Sequence, residues 1–252
     1  MQYLSENRKF GLNGNVLKII ACVSMLLDHI GFFLFPGARW LRMAGRLAMP
    51  IFAFFVAEGC KYTRNKTRHL LTIAALGLIF YVVEVLAANA DVQNIFLTFS
   101  LSICIIYSLD YLKQLVFSKE KNASAILGAV VIVSLVTFAS IMVVYAGHFD
   151  YGLIGMLTPV AVSLVDFSMA NKDALWVKIV DNIFVRLILL SIMLTVLLFN
   201  SGLPMEVQAY SFIALLPLLL YNGKRGRLNL KYYFYAFYPL HVAIIVGISY
   251  LI

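Results

Sequence analysis

Asp28 and His29 stand ten and eleven residues beyond Lys18, and His241 stands ten beyond Lys231, each in an otherwise apolar stretch. At a helical rise of about 1.5 Å per residue all three lie roughly 15 Å past their flanking lysine. That is the middle of a hydrocarbon layer roughly 30 Å thick. Ionisable groups at such a depth cost several kcal/mol, so each is a functional candidate by default. A histidine oriented by a partner is the usual general base, because its pKa sits near neutrality. Successive helical residues point about 100° apart, so the partner of His29 could be Asp28, Glu84 or a backbone carbonyl. The structural alternative is a hydrogen-bond network that locks the first and last helices together.

Arg46 and Glu84 are fifteen and sixteen residues from Lys61 and Arg68, roughly 23 Å along their helices, and would suit either an ion pair or a site. Arg39, Arg42 and Arg46 are spaced three and four apart and share one helical face. Such a stripe fits an anionic substrate or, more simply, lipid headgroups. Glu58 is close enough to Lys61 and Arg64 for an interfacial pair. Pro239 removes one backbone donor and leaves the carbonyl near Tyr235 as a polar acceptor at membrane depth. Tyr232 and Tyr233 suit an aromatic belt, whereas Tyr238 is deep enough to line a cavity. In the loop YNGKRG at 221–226, two glycines would let backbone amides approach an anion, with charge from Lys224, Arg225 and Arg227. A phosphate-bearing ligand and an ordinary basic loop both fit.

The elements that must hold these residues follow from composition. The chain is 62% hydrophobic and 13% charged, with a mean hydropathy of +0.91. A water-soluble domain of 252 residues needs more polar covering than this. Apolar runs of span length are expected as helices at 17–36, 40–60, 69–88, 94–116, 123–146, 151–168, 182–200, 208–221 and 232–251. The fold expected is therefore an all-α polytopic transmembrane bundle of about nine spans, one domain over 1–252, with a retained first helix. A β-barrel would show alternating segments of about ten residues, and the sequence has no such alternation.

Basic residues set the orientation. With the N-terminus in the cytoplasm, that side receives Arg8, Lys9 and Lys18; Lys61, Arg64, Lys66 and Arg68; and Lys113, Lys119 and Lys121. It also receives Lys172 and Lys178, then Lys224, Arg225, Arg227 and Lys231. Arg39, Arg42 and Arg46 fall outside, and the C-terminus is expected outside as well. The net charge of +8 then reflects topology and contact with anionic membrane lipids. Spread over five short loops, it excludes a nucleic-acid partner. Cys22, Cys60 and Cys104 lie in separate spans, and four scattered histidines offer no metal-ligand spacing.

Five segments carry a resemblance. LKIIACVSMLLDHIGFFLFP (17–36), LRMAGRLAMPIFAFFVAEGCKYTRN (41–65), QNIFLTFSLS (93–102), LLPLLLYNGKRG (215–226) and KYYFYAFYPLHV (231–242) together resemble the TraX family. Its founding member is the inner-membrane acetylase of conjugative pilin. TraX-like proteins look like members of a larger superfamily of membrane acyltransferases that includes the O-antigen acetylases. Many of those carry an Arg, ten residues, then a His in the first helix; here Lys18 replaces the Arg before His29, keeping charge but losing bidentate phosphate recognition.

The resemblance implies a bacterial inner-membrane protein that moves an acetyl group from cytosolic acetyl-CoA to an acceptor peptide or glycan. It implies His29 as base or acyl-accepting residue with Asp28 in support, and Arg46, Glu58, Glu84, Asn94 and His241 lining the site. Asn222, Gly223, Lys224 and Arg225, helped by Lys18 and Arg64, would hold the coenzyme A phosphates, with no metal. Arg46 or Tyr238 would stabilise the oxyanion. A proton-coupled secondary transporter is the competing expectation, since a midplane cluster of His, Asp, Glu and Arg suits one equally.

Overall fold

The computed structural model describes residues 11–86, 94–147, 149–167, 170 and 174–251, apart from the side chains of 83–86 and 231. It is all-α; the β-type pairing among the described residues is a single parallel bridge between Leu12 and Tyr221. The helices are α1 (Gly14–Phe33), α2 (Arg39–Gly45), α3 (Ala48–Tyr62), α4 (Lys66–Leu86), α5 (Ile95–Val116) and α6 (Ala123–Ala146). They continue with α7 (Gly152–Leu164), α8 (Leu175–Val180), α9 (Ile183–Asn200), α10 (Met205–Gln208), α11 (Leu215–Leu219) and α12 (Lys231–Ser249). A 3-10 turn, Ala209–Ala214, joins α10 to α11.

Among the described residues asparagine starts five of these helices, Asn65 before α4 and Asn182 before α9 each accepting from one first-turn amide. The side chains of Asn13, Asn94 and Asn122 each accept from two amides of the first turn of α1, α5 and α6, satisfying donors that a helix start otherwise leaves open. Among the described residues, six helices are long and apolar enough to cross a membrane: α1, α2 with α3, α5, α6, α9 and α12. α6 makes the solvent plain. Its 24 residues bury only Ala129, Ser140 and Val144, while Leu127, Leu135, Phe138 and Tyr145 are exposed. A helix apolar on every exposed face is stable in lipid and not in water.

Each expected apolar run contains helix, with two departures. The run at 40–60 is interrupted at Arg46 and Leu47, between α2 and α3. Pro50 has no amide to offer the Arg46 carbonyl one turn earlier, so the backbone ladder fails there. The run at 208–221 starts earlier, at Met205, and is broken into α10, the 3-10 turn and α11. Pro217 likewise withholds a donor from the Ile213 carbonyl, within the 3-10 stretch.

The chain divides into two compact units. The first runs to Phe55 and resumes at Leu190; the second is Val56–Leu189. In the first, α1 packs on α2 and on α12. Close approach of α1 to α2 rests on small residues: Ser24 Oγ donates to the Ala44 and Gly45 carbonyls at 2.6 and 3.0 Å, and Gly31 faces Leu41. In the second unit α5 is central, packing on α4, α6 and α7. Its polar face is satisfied by neighbouring backbone, with Ser102 Oγ donating to the Met156 carbonyl at 2.6 Å and Thr98 Oγ1 to that of Asp150 at 3.1 Å. The cysteines are unpaired thiols, and Cys22 and Cys60 are buried.

Candidate functional site

In the first unit, Asp28 projects from α1 onto the end of α2. Arg42 Nη1 donates to its carboxylate at 3.0 Å and to its backbone carbonyl at 3.3 Å, and Arg46 Nη2 donates to the other carboxylate oxygen. Arg46 is buried, and its Nε also donates to the Arg42 carbonyl at 3.3 Å. The guanidinium of Arg42 lies 5.0 Å over the Phe32 ring. Thus two of the three stripe arginines converge on one carboxylate. Asp28 is committed to these arginines and makes no hydrogen bond to His29.

His29 is held by His241 instead. Nδ1 of His29 and Nε2 of His241 are 2.7 Å apart, and Nδ1 of His241 lies 2.7 Å from the Phe237 carbonyl oxygen. Phe237 stacks on the His241 ring at 4.7 Å and 15°, while Tyr238 stands edge-on to both imidazoles. Tyr238 and His241 are buried. Equal depth on α1 and α12 therefore corresponds to direct contact. Asp28 and His29, consecutive on α1, serve two different neighbours, as their angular separation requires.

The 221–226 loop lies against the start of α1. The Lys224 and Arg225 carbonyls accept from the Gly14 and Asn15 amides at 2.7 and 2.9 Å, and Leu12 pairs with Leu220 and Asn222. Gly223 and Gly226 have φ of 74° and 101°. A Cβ on Gly226 would fall 2.8 Å from Asn13 Oδ1 and 2.9 Å from Asn15 Nδ2, so this glycine permits a close approach to the helix cap. The Lys224 amide donates to Asn222 Oδ1 at 3.0 Å. The loop carbonyls and Asn13 Oδ1 together occupy the first amides of α1. Lys224, Arg225 and Arg227 are exposed, with Arg225 donating to Asn229, and Lys18 Nζ lies 4.9 Å over Phe55 and 5.8 Å from Phe234.

The second unit holds a separate ionic cluster. Arg186, 1% exposed, donates to Glu58 through Nη1 and to Asp181 through Nη2 at 2.9 Å. Lys61 bridges Asp166 and Asp181 at 3.0 and 3.1 Å. Lys113 donates to the carbonyls of Ser163, Leu164 and Asp166, each at 3.0 Å, holding the C-terminal end of α7. Glu58 is therefore a buried partner of Arg186, where an interfacial pair with Lys61 and Arg64 was expected; Arg64 is exposed. Asn94 is buried; it caps α5 and donates to the Gly77 carbonyl at 2.7 Å, tying α5 to α4. Glu84 is in α4, but its side chain lies outside the described residues.

A family model described as TraX protein matches residues 13–249. The chain belongs to the TraX family. Over 256 aligned positions, covering 95% of this chain and 96% of the relative, it is 24% identical to a probable fimbrial assembly protein, FimC of serogroup H1, from Dichelobacter nodosus. An uncharacterized protein of Rickettsia prowazekii (strain Madrid E) is 35% identical over 94 residues, which is 37% of this chain and 36% of that protein. No solved structure matches the chain.

The TraX match takes in Lys18, the Asp28–Arg42–Arg46 cluster, the histidine pair, the basic loop and the Arg186 network. Sequence reasoning placed Arg42 only in a stripe and assigned Arg186 no part in a site. A signal for both was present: each is an arginine within an apolar helix, where a charge demands a buried partner.

Proposed function

We propose that this TraX-family protein is an acyltransferase of the bacterial cytoplasmic membrane. It carries an acetyl group from cytosolic acetyl-CoA to an amine or hydroxyl of an envelope-associated acceptor, a pilin-like peptide or a glycan. The observation that carries this reading is the imidazole of His29, positioned by His241, on the same helix whose first turn is bracketed by Lys224 and Arg225. Lys18 and His29 are eleven residues apart, roughly 16 Å along α1, a gap that the extended pantetheine arm of coenzyme A suits. The identity of the Dichelobacter relative as a probable fimbrial assembly protein supports a pilin-like acceptor.

In this mechanism Lys18, Lys224 and Arg225, with Arg227 beside them, attract the phosphates of the acyl donor through charge. His29 takes the proton from the acceptor N–H or O–H, the freed electron pair attacks the thioester carbonyl, and the C–S bond breaks with departure of the thiolate. Transfer through an acyl-histidine is the alternative route. The guanidiniums of Arg42 and Arg46 favour the negative charge that develops on the carbonyl oxygen. Arg46, which also donates to Asp28, and Tyr238, edge-on to His29, are the candidate donors.

The experiment is consumption of radiolabelled acetyl-CoA by the purified protein beside His29→Ala. Turnover or trapped label in the wild type, lost in the variant, supports the reading. Absence of both binding and consumption overturns it in favour of a proton-coupled carrier. One observation favours that second reading: the buried Glu58–Arg186–Asp181–Lys61–Asp166 network, a grouping proton-coupled carriers commonly use.

A further inference from the structure

The contacts of His241 determine which nitrogen of His29 is basic. The Phe237 carbonyl can only accept, so the proton shared with it belongs to His241 Nδ1. A neutral imidazole has one N–H, which leaves His241 Nε2 as a lone pair. That lone pair faces His29 Nδ1 at 2.7 Å, and the hydrogen bond between them needs a proton on His29. Neutral His29 therefore holds its single proton on Nδ1, and its Nε2 accepts no hydrogen bond among the described residues. Little else in the ring geometry is free to change. Phe237 and His241 are one turn apart on α12, the stacked Phe237 ring and the edge of Tyr238 hold His241, and the ring of His29 lies 4.9 Å from it.

We infer that the Phe237 carbonyl, acting through His241, holds His29 in the Nδ1–H tautomer and so makes Nε2 of His29 the atom that takes the proton from the acyl acceptor. His241 is thereby a positioning residue. The tautomer follows from hydrogen-bond geometry alone; the identity of the proton donor rests on the transferase reading above. The step balances. The acceptor N–H or O–H bond breaks as Nε2–H forms, giving an imidazolium whose Nδ1–H still bonds His241. The nucleophile joins the thioester carbonyl carbon, the C–S bond breaks, and Nε2 returns its proton to the departing thiolate. In the imidazolium state the Nδ1 proton can also move to His241 Nε2, spreading the charge over two rings while Phe237 accepts from Nδ1 throughout.

The test is nitrogen NMR of full-length protein carrying 15N-histidine, in detergent micelles. The chain has four histidines, so a His29→Ala difference spectrum assigns the two ring nitrogens of His29. The expected wild-type result is a protonated Nδ1 and a bare Nε2, the minor tautomer of histidine free in water. His241→Leu is expected to shift the proton to Nε2. His241→Gln, whose Oε1 can accept near the place of the lost Nε2, is expected to keep it on Nδ1. In acetyl transfer, His241→Leu should lower kcat about a hundredfold or more with KM little changed, and His241→Gln should recover much of the loss. A protonated Nε2 on His29 in the wild type overturns the inference, whether or not the leucine variant folds. So does a His29 tautomer that is indifferent to His241→Leu. Should the tautomer be as stated while acetyl-CoA is never consumed, the transferase reading fails and the assignment of the proton stands.

Discussion

The carboxylate of Asp28 fills the space beside Gly45 that a side chain would otherwise take, so a Cβ at position 45 would coincide with it. Gly45 closes α2, and its carbonyl also accepts from Ser24. Glycine here is what allows a charged residue of α1 to lie flush against α2 and reach both arginines.

Gly45→Ala should therefore expel Asp28 from its pocket. Overpacking of a tight contact costs about 1–3 kcal/mol, and loss of the ion pairs adds to it. Gly128→Ala is the matched control, because nothing lies within 4 Å of a Cβ there and α6 is exposed around it. That change should be neutral or stabilising by up to about 1 kcal/mol. Thermal unfolding of the two variants in the same detergent checks the contrast; equal melting temperatures would refute the contact.

Asp28→Asn removes the carboxylate between Arg42 and Arg46 and leaves two guanidiniums facing each other in a largely buried place. Breaking a buried pair in this way costs about 3–5 kcal/mol. Replacing Arg46 by Gln in the Asp28→Asn background relieves part of the repulsion, so the double variant should be more stable than the sum of the single losses. Additive losses in a double-mutant cycle would show that the cluster is not coupled.

Depth along a helix was legible in the sequence; rotation about the helix was not. A rise of about 1.5 Å per residue turns the spacing from Lys18 to His29 and from Lys231 to His241 into a shared level, and the two rings do meet there. The same counting could not say that Arg46 faces Asp28, because α1 is apolar around most of its surface and carries no strong face signal. Arg186 is only the fourth residue of α9, so it resembled a flanking charge of the positive-inside kind; its partners Glu58 and Asp181 reach it by tertiary packing that no periodicity encodes. Asn94 was placed in a site by resemblance, while its caps and its bond to Gly77 give it a structural role that an Asn before an apolar run already signals. The break ahead of Pro50 was also within reach of the sequence, since a proline withholds its amide from the residue one turn before.

Arg186→Met removes the cation that joins Glu58 to Asp181 in the second unit. Both carboxylates are buried, so the expected loss of stability is about 3–5 kcal/mol. Adding Glu58→Gln neutralises a carboxylate that faced the lost cation and should restore part of that loss. The measurement is a denaturation midpoint for the wild type, both single variants and the pair. A double variant as unstable as the sum of the two would mean that Arg186 and Glu58 do not interact.

Lys224 and Arg225 test the other end of α1. Their backbone carbonyls hold the helix start, but their exposed side chains do not, so Lys224→Gln and Arg225→Gln should leave folding unchanged within about 0.5 kcal/mol. A charge-assisted contact to phosphate contributes about 1.5–3 kcal/mol, so on the transferase reading each substitution should raise the KM for acetyl-CoA about tenfold to a hundredfold while kcat stays close to wild type. The wild-type KM should rise with ionic strength, and the double variant should show a shallower rise, because it has fewer screened charges. Titration of KM against salt for the wild type, the two single variants and the double variant separates this from a topological role. If the neutral loop binds acetyl-CoA as tightly as the basic one, the loop serves orientation in the membrane, and the phosphates of the donor are held elsewhere.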